Sequence, residues 1–206
     1  MFNLSELQHD ALVEIFNIGV GHAAKSMSEI VNEPVTMSVP SISFVNRADA
    51  AAMLGNKDSS RVCGVSQHYQ GAFSTEAILM FPEDKSLDIV RLMVGESVPL
   101  KELTEMEQEA MSEIGNIILN SCVGTLANIF AQELSGSLPE YRVGTSEEVL
   151  HASGAANSSV VLMLHIDFVL ETHQIHGYVA FILDLTALRD LREQIDLYVA
   201  KAMGTA

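Results

Sequence analysis

Residues 4–18, LSELQHDALVEIFNI, lie over residues 103–117, LTEMEQEAMSEIGNI, with Leu4 on Leu103, Glu6 on Glu105, Ala11 on Ala110, Glu14 on Glu113 and Asn17 on Asn116. The offset is 99 residues throughout, and it also carries Pro40 onto Pro139. A repeat this long within 206 residues restricts the fold to arrangements in which one supersecondary unit occurs twice.

Each copy opens with a helix signal. Ser5 with Gln8 and Thr104 with Glu107 have capping-box spacing, so both helices are expected to start there. Apolar residues then recur at helical steps, Leu12, Ile15, Phe16, Ala23, Met27 and Ile30 in the first copy and Met111, Ile114, Ile118, Cys122, Leu126 and Ile129 in the second. Pro34 ends the first helix, and the Gly and Pro of LSGSLP (134–139) end the second. Three β-patterned runs follow in each half, 35–45, 61–69 and 72–81 against 141–146, 158–170 and 176–185. Helical patterns close both halves, at 83–95 and 185–203. The reading is an α+β fold, an αβ sandwich made of an internal tandem repeat of two α-β-β-β-α units. A pseudo-twofold axis would relate the units, merging their sheets under helices packed on the faces. One domain is expected over residues 1–206, with repeats at about 1–98 and 99–206 joined by the short turn GESVPL (95–100).

Composition narrows the function. Eleven Lys and Arg against 27 Asp and Glu give a net charge of −16, which repels nucleic acid and anionic lipid, so neither is an expected partner. The N-terminus MFNLSELQHD carries no signal-peptide pattern, and no apolar run approaches the ~18 residues of a membrane span, so a cytoplasmic protein is expected. Cys63 and Cys122 have no metal or redox spacing and read as packing residues. In HQIHG (173–177), His173 and His176 fall in a segment read as a hairpin turn with no third ligand placed by spacing, so no metal site is expected. GVGHAAKS (19–26) follows no strand and lacks the third Gly of a dinucleotide fingerprint; Gly19 and Gly21 read as helix-packing residues.

On a helix, Asp10, Glu14, Asn17 and Gly21 form one stripe, and Glu109, Glu113, Asn116 and Asn120 another, both off the apolar stripes. An Asn inside a helix costs about 0.5 kcal/mol against Ala, and here it occurs in both copies. Two readings stand. The stripes are a solvated face inherited by both copies, or a carboxylate and an amide presented to a partner, one holding a cation and the other a water. An amide cannot act as a general base, but it can orient a nucleophilic water.

These residues resemble the response-regulator phosphatases of bacterial chemotaxis, the family of CheC, CheX and FliY. That family's signature reads Asp or Ser, three residues, Glu, two residues, Asn, twenty-two residues, Pro. The first copy supplies Asp10, Glu14, Asn17 and Pro40 at every interval; the second supplies Glu109, Glu113, Asn116 and Pro139, with Glu109 in place of Asp or Ser. Two motifs at this separation are most similar to CheC. CheX typically keeps one functional motif, and FliY would carry additional terminal regions, which disfavours a flagellar-switch component.

The resemblance implies hydrolysis of the aspartyl phosphate on CheY or a similar receiver. Glu14 or Glu113 would pair with a receiver Lys, while Asn17 or Asn116 orients the attacking water. Asp10 and Glu109 would help bind the receiver, and Pro40 and Pro139 would shape the chain. The receiver would bring its own Mg2+, so no cofactor or metal of this chain's own is implied. An alternative is an adapter that binds a receiver, or the deamidase CheD, with little or no activity.

Overall fold

The computed structural model describes residues 4–54, 61–71, 73–94, 98–151, 160–170 and 173–204. Its elements are α1 (Glu6–Val31), β1 (Val35–Val45), α2 (Arg47–Leu54), β2 (Arg61–Gly71), β3 (Thr75–Pro82), α3 (Glu83–Val94), α4 (Leu100–Phe130), β4 (Leu134–Gly136), β5 (Glu140–Thr145), α5 (Ser146–His151), β6 (Val160–Leu170), β7 (His173–Leu183) and α6 (Leu185–Ala202). Among these described residues, no helix is long and apolar enough to cross a membrane.

Helix α1 starts where the sequence indicates. Gln8 N donates to Ser5 Oγ at 3.2 Å, and Ser5 N donates to Gln8 Oε1 at 2.7 Å, a complete capping box. The second helix departs from expectation: α4 begins at Leu100 behind Pro99, and Thr104, already inside it, donates its hydroxyl to Leu100 O. Glu107 serves packing instead of capping, accepting from Ser86 Oγ on α3 at 2.6 Å and from Tyr141 Oη on β5 at 2.8 Å. Helix ends differ too. Asn32 (φ 55°) and Ala131 (φ 51°) take the left-handed C-cap conformation, so α4 stops without the glycine of LSGSLP, whose first three residues form β4.

The plan of each half has one helix more than predicted, because α2 and α5 follow the first strand segments. Their signals were present and short. Asn46 Oδ1 accepts from Asp49 N ahead of α2, and Thr145 and Glu148 exchange reciprocal bonds ahead of α5. Residue Ser146, expected in a strand, therefore opens a helix. HQIHG is likewise no turn: β7 begins at His173 and His176 sits within it. Residues 158–159, part of an expected strand, and 95–97, part of GESVPL, lie outside the described residues.

The seven strands form one antiparallel sheet in the order β1-β6-β7-β3-β2-β4, with β5 also pairing β2. Strands of the two halves are interlaced, β1 on β6 and β2 on β4 and β5, around a central β3–β7 pair. Alternation along each strand sends Cys63, Val65, Leu79, Phe81, Leu162 and Leu164 into the core beneath α1 and α4. Val62, Ile78, Met80, Val161 and Met163 meet Ala50, Ala51, Val149 and Leu150 of α2 and α5 on the other face. Helices thus cover both faces, the long ones together on one.

Both cysteines are buried, and burial pushes each thiol up to about 12. Thiols held protonated are poor nucleophiles. Neither Cys63 nor Cys122 is expected to react with a maleimide in the native protein near neutral pH, whereas both should label in denaturant, read by mass spectrometry.

Candidate functional site

Helix α1 buries Leu12, Ile15, Phe16 and Val20 and leaves Asp10 and Glu14 exposed, with Asn17 half-buried at the boundary. On α4 the same division puts Met111, Ile114 and Ile118 in the core, Glu109 and Glu113 in solvent, and Asn116 at the boundary. Each exposed carboxylate stands one helical turn from its amide. The two amides are held in different ways.

Asn17 clasps the first strand. Its Oδ1 accepts from Val39 N at 2.9 Å, while its Nδ2 donates to Val39 O at 3.3 Å and to Val13 O at 3.0 Å. The amide pairs with one residue of β1 as a neighbouring strand would. Exposed Pro40 comes next, inside the register shift between Ser38 and Ser41, where a residue with no N–H costs the ladder nothing. The interval from Asn17 to Pro40 therefore has a local structural meaning.

Asn116 has no such clasp. Its Oδ1 accepts from Gln67 Nε2 at 3.2 Å and from Asn120 Nδ2 at 2.7 Å, and among the described residues its own Nδ2 donates to no group. Gln67 is oriented by donating to Ser137 O at 2.8 Å. The Tyr69 hydroxyl lies 3.0 Å from both Gln67 Oε1 and Asn120 Oδ1, so its single proton is shared between them. Burial, then the neighbouring Cys122 thiol, pushes the Tyr69 phenol up, so it stays a donor. The offset of 99 places Ile166, Phe168 and Gly21 opposite Gln67, Tyr69 and Asn120, so the first copy cannot build this network. Sequence reasoning passed over Gln67, although a Gln alternating with Cys63, Val65 and Tyr69 on a core-facing strand edge was its signal.

Pro139 is half-buried where the strand opposite β2 is interrupted between β4 and β5. It lines a cleft of about 800 Å³ beside the second motif, with Met93 and Met106 apolar and Glu105, Glu109 and Glu113 acidic. Of the two glycines read as packing residues, Gly19 lies against α4, where a Cβ would meet Cys122 Cα at 3.0 Å. Gly21 faces open space.

Comparisons with known proteins agree on kinship. The CheC-like family model matches residues 7–44, a span holding Asp10, Glu14, Asn17 and Pro40. The CheY-P phosphatase CheC of Bacillus subtilis is 28% identical over 144 residues, 68% of this chain and 68% of that one. The fold is similar to FliY of Thermotoga maritima, with a TM-score of 0.75 and 17% identity over 96% of this chain and all (100%) of that one. It is also similar to a chain of a CheX-CheY-BeF3-Mg2+ complex from Borrelia burgdorferi, with a TM-score of 0.52 and 17% identity over 84% of this chain and 97% of that one.

Proposed function

This chain belongs to the CheC, CheX and FliY family, and we propose that it hydrolyses the aspartyl phosphate of a CheY-like receiver domain in the cytoplasm. One observation carries the reading: on both long helices an exposed Glu stands one turn from a half-buried Asn, at the spacing of the family motif. Glu14 and Glu113 pair with the cationic side chain that touches the receiver's phosphoryl group. Asn17 and Asn116 hold a water in line with the phosphorus and the leaving aspartyl oxygen. Attack forms a new P–O bond and breaks the acyl phosphate, and the water's protons leave with inorganic phosphate or pass to solvent. The receiver brings Mg2+ as part of the substrate, so the phosphatase contributes position and charge alone. Asp10 and Glu109, a turn earlier, add negative charge where basic groups dock.

Release of phosphate from a phosphorylated CheY-type receiver, with and without this protein, is the test. Glu14→Gln and Glu113→Gln are each expected to weaken receiver binding at the altered site about tenfold, the worth of one interfacial ion pair. Isothermal titration against a non-hydrolysable receiver complex measures it, and unchanged affinity in both variants would remove the docking role.

We also take residues 1–206 as one folding unit of two repeats. Each half has one hairpin of its own, β2–β3 and β6–β7, and the pairing of β1 with β6, β3 with β7 and β2 with β5 joins the strands of both halves in one sheet. Calorimetry should then give a single cooperative transition. The adapter reading has one observation in its favour, the fully bonded Asn17 amide, which suits a face that holds a receiver without hydrolysing it. CheD belongs to that reading, and direct binding to purified CheD would test it.

A further inference from the structure

The sheet face opposite α1 and α4 carries a second cluster of reactive side chains. Strands β6 and β7 pair Asp167 with His176 and His165 with Tyr178, so four side chains stand as two adjacent cross-strand pairs. His165 and Asp167 alternate with Leu164, Ile166 and Phe168, which pack under the long helices, and so point to the face of α2 and α5. Asp167 Oδ1 is 2.7 Å from His176 Nδ1 and 3.7 Å from His165 Nε2. One ligand atom from each of the three residues lies within 4.8 Å of the others. Tyr178 stacks on the His165 ring, at 5.1 Å between centroids and 24° between planes, and limits its rotation.

We propose that His165, Asp167 and His176 bind one divalent transition-metal ion. Two imidazoles and one carboxylate are the donor set of three-ligand zinc and non-haem iron sites, which leave a position for water. Small adjustments of these side chains would bring their donor atoms to metal-bond distance of a common point. The side chains of His165 and Asp167 are 31% and 25% exposed and that of His176 is 56% exposed, so solvent can reach the open position. His165 and Asp167 are paired on their outer side with Ser41 and Ser38 of β1, across its register shift, and β3 pairs β7 as far as Tyr178, so His165, Asp167 and Tyr178 sit on backbone paired from both sides. A net charge of −16 favours cation entry. Hard cations, which take oxygen ligands, do not suit this set. The Glu and Asn of both motifs sit on α1 and α4, over the other face of the sheet, so the ion takes no part in the proposed hydrolysis.

Hydrolysis of the receiver is not needed to test this. The full chain, stripped with chelator, is titrated calorimetrically with Zn2+ alone, with Co2+ absorption as a spectroscopic readout and Mg2+ as control. One equivalent is expected, with a Zn2+-dependent rise in Tm that Mg2+ does not produce. Substituting His165→Gln, Asp167→Asn or His176→Gln, each close in size and checked by circular dichroism, should weaken Zn2+ binding by at least about tenfold. His68→Gln, on β2 away from the cluster, should not. No saturable Zn2+ binding by the native chain, or binding that survives all three substitutions, overturns the site.

Discussion

Replacing both amides, Asn17→Ala with Asn116→Ala, is expected to lower phosphate release about a hundredfold, the typical loss when one preorganised hydrogen-bonding group leaves a reacting site, while the receiver still binds. The two single variants should not share that loss equally. Asn116 has its Oδ1 fixed by Gln67 and Asn120 and its Nδ2 turned to no described partner, so it meets a docked water without breaking anything. Asn17 must first release Val39. Asn116→Ala should therefore remove most of the activity and Asn17→Ala the smaller part, although the first copy has the complete motif and the second carries Glu109 in its place.

Stability should show the opposite order. Asn17→Ala deletes bonds to both polar groups of Val39, a loss of about 2 kcal/mol, of which better helix propensity returns about 0.5 kcal/mol. In Asn116→Ala, Gln67 keeps Ser137 and Asn120 keeps Tyr69, so urea midpoints should barely move. Should the double variant retain native turnover, no catalytic water is held by these amides and the water-positioning mechanism is wrong; an absence of receiver hydrolysis by the native chain is what would put the adapter reading in place of the phosphatase.

Much of this arrangement was legible because periodicity records which face is buried. The α1 stripe from Leu12 to Met27, its capping box and the β1 run at 35–45 are local, and the structure has them where the pattern put them, whereas Ile30, the stripe's last residue, is exposed in the final turn of α1. What escaped was non-local or short. Helices α2 and α5 have eight and six residues, too few for a 3.6-residue period to register. Glu107 has capping-box spacing but is claimed by Ser86 and Tyr141 from α3 and β5, partners that no window along α4 contains. The candidate site divided in the same way. Glu14 and Glu113 announce themselves by spacing, whereas the unequal fixing of Asn17 and Asn116 depends on a strand 22 residues away in one case and Gln67 in the other. Likewise, the HQIHG segment places no third ligand beside His176, because His165 and Asp167 meet it only across a strand pair.

The interval between α4 and β2 sets how Asn116 is held, which makes Gly115 the residue where packing and activity meet. A Cβ at Gly115 would stand 2.5 Å from Val65 Cβ, within a fully buried side chain on β2. At the matching position of α1, Phe16 instead packs on Phe181 at 5.3 Å between ring centroids. Gly115→Ala must move α4 and β2 apart, because a change of Val65 rotamer shifts its methyl groups and leaves its Cβ in place. Overpacking of this kind costs about 1–3 kcal/mol, and better helix propensity offsets about 1 kcal/mol at most. The displaced segment carries Asn116, and the displaced strand carries Gln67, two residues beyond Val65 and on the same face. Stretching that bond frees the amide to rotate, so phosphate release should fall together with the urea midpoint. Val65→Ala removes the two methyl groups, 2.4 and 3.0 Å from the new Cβ, and keeps the Cβ at 2.5 Å, so it relieves part of the clash and reduces how far α4 and β2 must separate. In the Gly115→Ala background it should therefore raise both stability and turnover, although alone it opens a cavity and destabilises by about 1–2 kcal/mol. The double-mutant cycle, scored in urea and by phosphate release, should give a favourable coupling of at least about 1 kcal/mol. Simple additivity on both readouts would mean that Val65 is not what holds α4 at this distance, and that the fixing of Asn116 does not depend on it.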